Sequence, residues 1–403
     1  MMTRGEKMLA LRRSRMAKSP AFFRGGFRPF FFGGAAWAVI SLCLWLLALA
    51  GSLVLPTAFE ALAWHRHEML FGFVGAVIAG FLLTAIPNWT GRLPISGPQL
   101  IALFGLWLAA RLAVLFSSLT GMMVAAAVDV GFFLVLAGVA AREVLAAKNR
   151  NVPIVGLVFL LGTANALDHA NGMGLLGGND YGIRAAIGLV VMMISLIGGR
   201  IVPSFTRNWM AKQGIKDRLP GQPTRFDVLA LAATAVALFT WVIAPQSFAA
   251  GSVLLGAAIM QAGRLMRWGG LRSARDPLVF ILHIGYAWVP TGLLLLAASI
   301  LGARIPSSAA IHALTAGAMA TMILAVMTRA TLGHTGRELK ASPATVVIYS
   351  LVTLGAALRV SAPLGLLDYT LGMEIAAVAW GAAFLLFLAF YGPILFSPRV
   401  GEE

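Results

Sequence analysis

Runs of about 20 apolar residues recur along the whole chain, the length that a helix rising about 1.5 Å per residue needs to cross a hydrocarbon layer about 30 Å thick. In the first half they extend roughly from Phe30 to Leu55, Met69 to Pro87, Gly97 to Phe116, Gly121 to Ala141, Val152 to Leu167 and Ile183 to Val202. In the second half they extend roughly from Phe226 to Ile243, Ser247 to Leu265, Leu278 to Leu301, Ala309 to Thr328, Pro343 to Ser361 and Leu371 to Phe396. Only 11% of the 403 residues are charged, against about 25% in soluble domains, too few to cover a surface facing water. The pattern predicts an all-α integral membrane protein with about twelve transmembrane helices.

The formal net charge is +16, and its placement decides what it means. Arg66, Arg111, Arg184, Arg304 and Arg359 fall on one side of the predicted array, which leaves 26 of the 31 Lys and Arg residues for the other. Such a bias places the basic side, with both termini, in the cytoplasm. The charge is then a topology signal facing an anionic lipid bilayer, and a nucleic-acid partner is not expected. The expected organisation is a basic cytoplasmic arm over residues 1–29, a single transmembrane domain over residues 30–396 and a short cytoplasmic tail over residues 397–403. The arm shows no signal-peptide cleavage pattern, so the first helix reads as a retained anchor. The longest connection, Arg200 to Arg225, carries Gly214, Pro220, Gly221 and Pro223 and reads as a linker of turns.

A weak repeat runs through the chain. Pro87-Asn88-Trp89-Thr90-Gly91-Arg92 ends the second helix, Pro203-Ser204-Phe205-Thr206-Arg207-Asn208 the sixth, and Leu332-Gly333-His334-Thr335-Gly336-Arg337 the tenth. These segments lie four helices apart, so an array of three four-helix units is one reading. The other is that cytoplasmic helix ends collect Arg, Gly, Thr and aromatics in any case.

Ionisable groups at membrane depth are costly and mark function. Asp129 is the carboxylate nearest the bilayer centre, expected to act as a proton or cation site or to pair with an interior donor. The six histidines are His65, His67, His169, His283, His312 and His334. Neutral imidazole ligates transition metals and haem iron. His65, His67, His169 and His312 converge on the outer side of the predicted array, with His65 and His67 at the mouth of the second helix and His169 just beyond the fifth. If helical, the first two diverge by about 160° and serve two centres. His283 belongs to a separate inner centre or to a polar break in a helix that contains proline, and His334 to a loop. One cysteine, Cys43, excludes an internal disulfide, an iron–sulfur cluster and a covalently attached haem.

The segments Phe27-Arg28-Pro29-Phe30-Phe31, Trp64-His65-Arg66-His67-Glu68-Met69 and Pro87-Asn88-Trp89-Thr90-Gly91 closely resemble the NnrS family. So do Gly198-Gly199-Arg200-Ile201-Val202-Pro203-Ser204-Phe205-Thr206, Leu282-His283-Ile284-Gly285-Tyr286-Ala287-Trp288 and the stretch from His312 to Arg337. The resemblance covers nearly the whole chain in order. It implies a bacterial inner-membrane protein that contains haem and copper and serves nitric oxide metabolism or protection from nitrosative stress, with nitric oxide as ligand and an electron donor left unspecified. The haem expected on this resemblance is haem b, with His65, His67, His312 and His283 as candidate ligands, and copper would draw on the same histidines and His169. The reaction stays open between nitric oxide reduction, in which Glu68 or Asp129 delivers protons, a haem-based sensor, and transport of a metal or small solute. By analogy, haem-copper oxidases also use about twelve helices and hang haem between the outer ends of the second and the tenth. Here that analogy pairs His65 or His67 with His312, lets Glu68 fix a histidine tautomer, and leaves His169 for copper.

Overall fold

A computed structural model describes residues 5, 6, 10, 14 and 19–401, so the rest of the expected arm before residue 19 and residues 402–403 of the tail lie outside it. No described residue is in a strand. Among the described residues, twelve helices are long and apolar enough to cross a membrane, and the protein is a multi-pass membrane protein. They are α1 Phe27–Leu49, α2 Ala61–Thr90, α3 Pro98–Leu115, α4 Met122–Ala146, α5 Val152–Gly172, α6 Tyr181–Lys212, α7 Arg225–Ile243, α8 Phe248–Met266, α9 Pro277–Ile300, α10 Ser307–His334, α11 Pro343–Ser361 and α12 Tyr369–Phe396.

Local chemistry starts and stops these helices. Proline sits in the first turn of α3, α5, α9 and α11, where its missing N–H breaks no helical bond. Asp276, Ser247 and Ser342 accept backbone N–H groups at the starts of α9, α8 and α11, and Thr224 and Asp227 form a reciprocal capping box on α7. α2 closes on Gly91, whose φ of +67° suits a residue without a Cβ.

Four helices are longer than the hydropathy runs, and in three of them this moves functional residues. α2 begins at Ala61 rather than near Met69, so His65 and His67 lie inside a helix and not at its mouth. α5 continues to Gly172 and contains His169, and α10 continues to His334, which is therefore not a loop residue. α6 continues to Lys212, so the linker of turns shrinks to residues 213–224. The reason is shared: hydropathy measures the layer a helix crosses, while the hydrogen-bonded ladder runs on past it until a glycine or proline intervenes.

α2, α6 and α10 each contain a π-helical stretch, at Glu68–Val74, Ile194–Gly198 and Ala313–Met319. The recurrence is at the same four-helix interval as the repeat in the sequence.

The chain divides into two compact units. The first comprises Met1–Ala186, Ala330–Arg337 and Leu388–Glu403, and the second Ile187–Arg329 and Glu338–Phe387. In the first, α2 is the most enclosed span, with 72% of its apolar window buried against 33% for α3 and α4. Phe133 of α4 lies on Gly75 of α2 and Gly162 of α5, where added Cβ atoms would come within 2.8 Å of its ring and 2.9 Å of its own Cβ. Small residues thus let helices close where lipid supplies no hydrophobic drive. Arg28 donates to the carbonyls of Leu395 at 2.7 Å and Ser397 at 2.5 Å, so the arginine of the Phe27-Arg28-Pro29 motif caps the end of α12. In the second unit, α9 packs on α10 through Gly285 against Met322, Gly292 against Leu314 and Trp288 against Gly317.

Candidate functional site

The first unit holds a buried polar centre assembled from four helices. His67 of α2 is fully buried, and because α2 is helical there, His65 points elsewhere and stacks on Trp45 with ring centroids 4.0 Å apart. The two histidines therefore do not share a centre. His67 Nδ1 lies 2.7 Å from Asp168 Oδ2, and its Nε2 lies 2.8 Å from Asp129 Oδ2. Asp129, on α4, also takes His169 Nε2 at 3.1 Å and a hydrogen bond from Asn165 Nδ2 at 2.8 Å. One carboxylate oxygen is thus the meeting point of two imidazoles and an amide. One ligating atom from each of His67, Asp129 and His169 lies within 4.8 Å of the other two.

The α5 contribution comes from spacing alone. Asn165, Asp168 and His169 are three and four residues apart, so they share one face, and all three are buried. Asp168 and Asn165 escaped the sequence reading, although an i, i+3, i+4 set of polar residues in an apolar run was the available signal.

Arg111 of α3 is the largest departure from expectation. It was assigned by charge to a surface, yet it is fully buried and pairs with both Asp129 and Glu68, the latter at 2.7 Å. Glu68 also accepts Trp37 Nε1 at 2.5 Å. Glu68 therefore braces Arg111 and does not orient a histidine, which corrects the role expected for it. Asp129 has the interior donor that the sequence required. Positive charge reaches this depth because two carboxylates, on α2 and α4, meet it there and offset its desolvation.

Glu68, Asp129 and Asp168 are buried together with a single arginine, Arg111, so when all three carboxylates are ionised two further positive charges, brought by protons or by a cation, balance the site. Two polar atoms at its edge, His169 Nδ1 and Asn165 Oδ1, are buried and find no partner among the described residues. A divalent cation would balance the charge, and its donors, two imidazoles and a carboxylate, suit a first-row transition metal. His67 would keep Nδ1–H on Asp168, the carboxylate–histidine pairing that fixes the tautomer and directs Nε2 at a metal.

The other histidines belong elsewhere. His283 of α9, in the second unit, lies 2.8 Å through Nε2 from Thr206 Oγ1, and its buried Nδ1 has no partner among the described residues. His312 of α10 bonds through Nδ1 to the Ser308 carbonyl at 2.7 Å. His334 packs on Phe27. The second unit also buries a cluster the sequence did not suggest. Arg264 of α8 bonds Asp227 at 3.1 Å, Tyr286 at 2.8 Å and the carbonyl of Ser195, in the π-helical stretch of α6, at 3.2 Å.

A family model described as NnrS protein matches residues 21–399. No curated protein matches the chain.

Proposed function

The chain belongs to the NnrS family, and from that premise we propose that it handles nitric oxide at a copper ion held by His67, Asp129 and His169. The observation that carries this reading is the buried donor set of His67, Asp129 and His169 within 4.8 Å. Copper held there would supply a centre that binds nitric oxide and exchanges an electron. The residues around it supply the rest. Asp168 holds the His67 tautomer and Asn165 orients the Asp129 carboxylate, while Arg111 keeps the other Asp129 oxygen occupied so that a single oxygen faces the histidines. The bacterial inner membrane is the location that goes with this reading, and reduction and sensing of nitric oxide both remain compatible with the centre. Transport is less well supported, because the isolated acid that suggested it, Asp129, is paired with Arg111.

Copper analysis of the purified protein tests the site. His67→Ala and His169→Ala are expected to lose the ion, and Asp168→Asn to weaken its binding by about 10- to 100-fold. Nitric oxide should alter the electron paramagnetic resonance of the loaded wild type. Full copper retention in a His67→Ala, His169→Ala double variant would end this assignment.

A further inference from the structure

The second unit contains a cavity that the reading of the His67 centre does not use. Its walls come from α6, the linker after it, the start of α7 and the two residues that follow α8, Arg267 and Trp268. Because α7 begins and α8 ends there, the cavity belongs to a membrane surface and not to the bilayer centre. Its volume is about 70 Å³, room for about five water-sized atoms. It therefore takes one small polar group and no ring system or chain.

The open side-chain groups at this cavity are donors. Trp268 is 5% exposed and packs its ring on Tyr286, and its Nε1–H has no acceptor among the described residues. Arg264 is 2% exposed. Its Nε meets Asp227 and its Nη1 meets Gln261, Tyr286 and the Ser195 carbonyl, which leaves Nη2 without an acceptor among the described residues. That nitrogen lies against Gly199 in the cavity wall, where a Cβ would overlap it. The second glycine of Gly198-Gly199-Arg200 thus lets the guanidinium reach the wall. Arg267 donates to Asp227 at 3.4 Å and to Thr224 at 3.1 Å, and two of five N–H groups are then in use. Asp227, the one acid in the wall, has both oxygens engaged, Oδ1 by Arg264 and Oδ2 by the Thr224 backbone N–H and Arg267.

Two guanidiniums against one carboxylate leave the site with a net positive charge, and the N-terminus of α7, capped by Thr224 in the same wall, adds to it. A cation finds no free acceptor on these side chains, whereas an anion finds open N–H groups on Arg264, Arg267 and Trp268. A group with several oxygens engages all three at once, and guanidinium forks suit phosphate. We propose that this cavity binds a single phosphate group and through it ties the linker to the end of α8. The free phosphate ion and the headgroup of an anionic phospholipid both present that group, and Lys216 and Arg218 of the linker add basic charge that draws either. The site makes no use of an ion at His67.

Inorganic phosphate is the probe, titrated calorimetrically into detergent-solubilised protein that phosphorus analysis shows to be free of phospholipid. Wild type is expected to bind one phosphate per chain, more weakly as salt is raised. Trp268→Phe, which removes the N–H and keeps an aromatic ring, should weaken binding by about ten-fold, and so should Arg267→Gln. Arg272→Gln should leave it unchanged, since that exposed guanidinium pairs with Asp217 outside the cavity. The same titration in phosphatidylcholine nanodiscs with and without phosphatidylglycerol names the source. Phosphate binding kept in both assigns the free ion, and binding lost only with phosphatidylglycerol assigns the headgroup. No saturable heat in the phospholipid-free sample overturns the proposal. So does wild-type affinity in both Trp268→Phe and Arg267→Gln, or saturable binding of nitrate where phosphate gives none.

Discussion

Arg111 shows how much a single buried charge organises. It sits in the last turns of α3 and binds Glu68 and Asp129, and all three side chains are fully buried. Removing one partner of such a set leaves the others charged in a low dielectric, which costs about 3–5 kcal/mol, whereas the intact set is close to neutral in its net contribution. Arg111→Met is therefore expected to lower the thermal stability of the detergent-solubilised protein sharply, and Arg111→Met with Glu68→Gln to recover part of the loss. Equal melting temperatures for the wild type and the single variant would contradict the ion set. Gly72 makes an independent test, because a Cβ there would come within 2.4 Å of Glu68 Oε2 and 2.8 Å of both Arg111 NH1 and Trp37 Nε1. Gly72→Ala should cost about 1–3 kcal/mol by overpacking, while Gly105→Ala, with nothing within 4 Å of its added Cβ, should be neutral or mildly stabilising. The sequence offered Asp129, His67 and His169 individually, since each is a costly residue in an apolar setting. It could not show that Arg111 faces them, because charge counting treats every arginine near a helix end as a surface group.

At the scale of the element, the informative feature is the π-helical stretch, which sequence periodicity does not reveal. Apolar residues occupy nearly every position of α2 around Glu68–Val74, so neither a 3.6-residue period nor a wider one stands out. The number of helices and their order were legible because the bilayer imposes a length, and the ends were not, because α2, α5, α6 and α10 extend past the apolar run. A π-helical stretch carries one residue more than the α-helix it interrupts and is often found at functional sites. Deleting Met69, which is only partly buried, should return the stretch to α-helix and remove the local widening that sets the backbone of His67 and Glu68, with the flanking turns kept near register. The deletion is expected to remove copper while leaving the helical circular dichroism intact. Retention of both would mean that the stretch does not aim His67.

For the whole molecule, the orientation expected in the membrane rests on the placement of charge. Of the five basic residues on the minority side, Arg111 is buried in an ion set, Arg359 has a buried guanidinium nitrogen, and Arg66 pairs with Asp180 at 2.9 Å. Counted alike on both sides, five basic residues stand against 26 in the expected array, and loop charge of this kind sets orientation because Lys and Arg resist translocation. An even number of spans, twelve, then returns the chain to the side on which it began. Met1 and Glu403, which lie outside the described residues, are expected on the same side as the linker after Lys212. A fluorescent protein that matures only in the cytoplasm should light up when fused after Glu403 or inserted near Lys216. A periplasmic phosphatase should be active when inserted near Arg304, in the connection between α9 and α10, and silent at the other two places. Activity in the reverse pattern would invert the orientation and place His67, near the N-terminal end of α2, toward the cytoplasm.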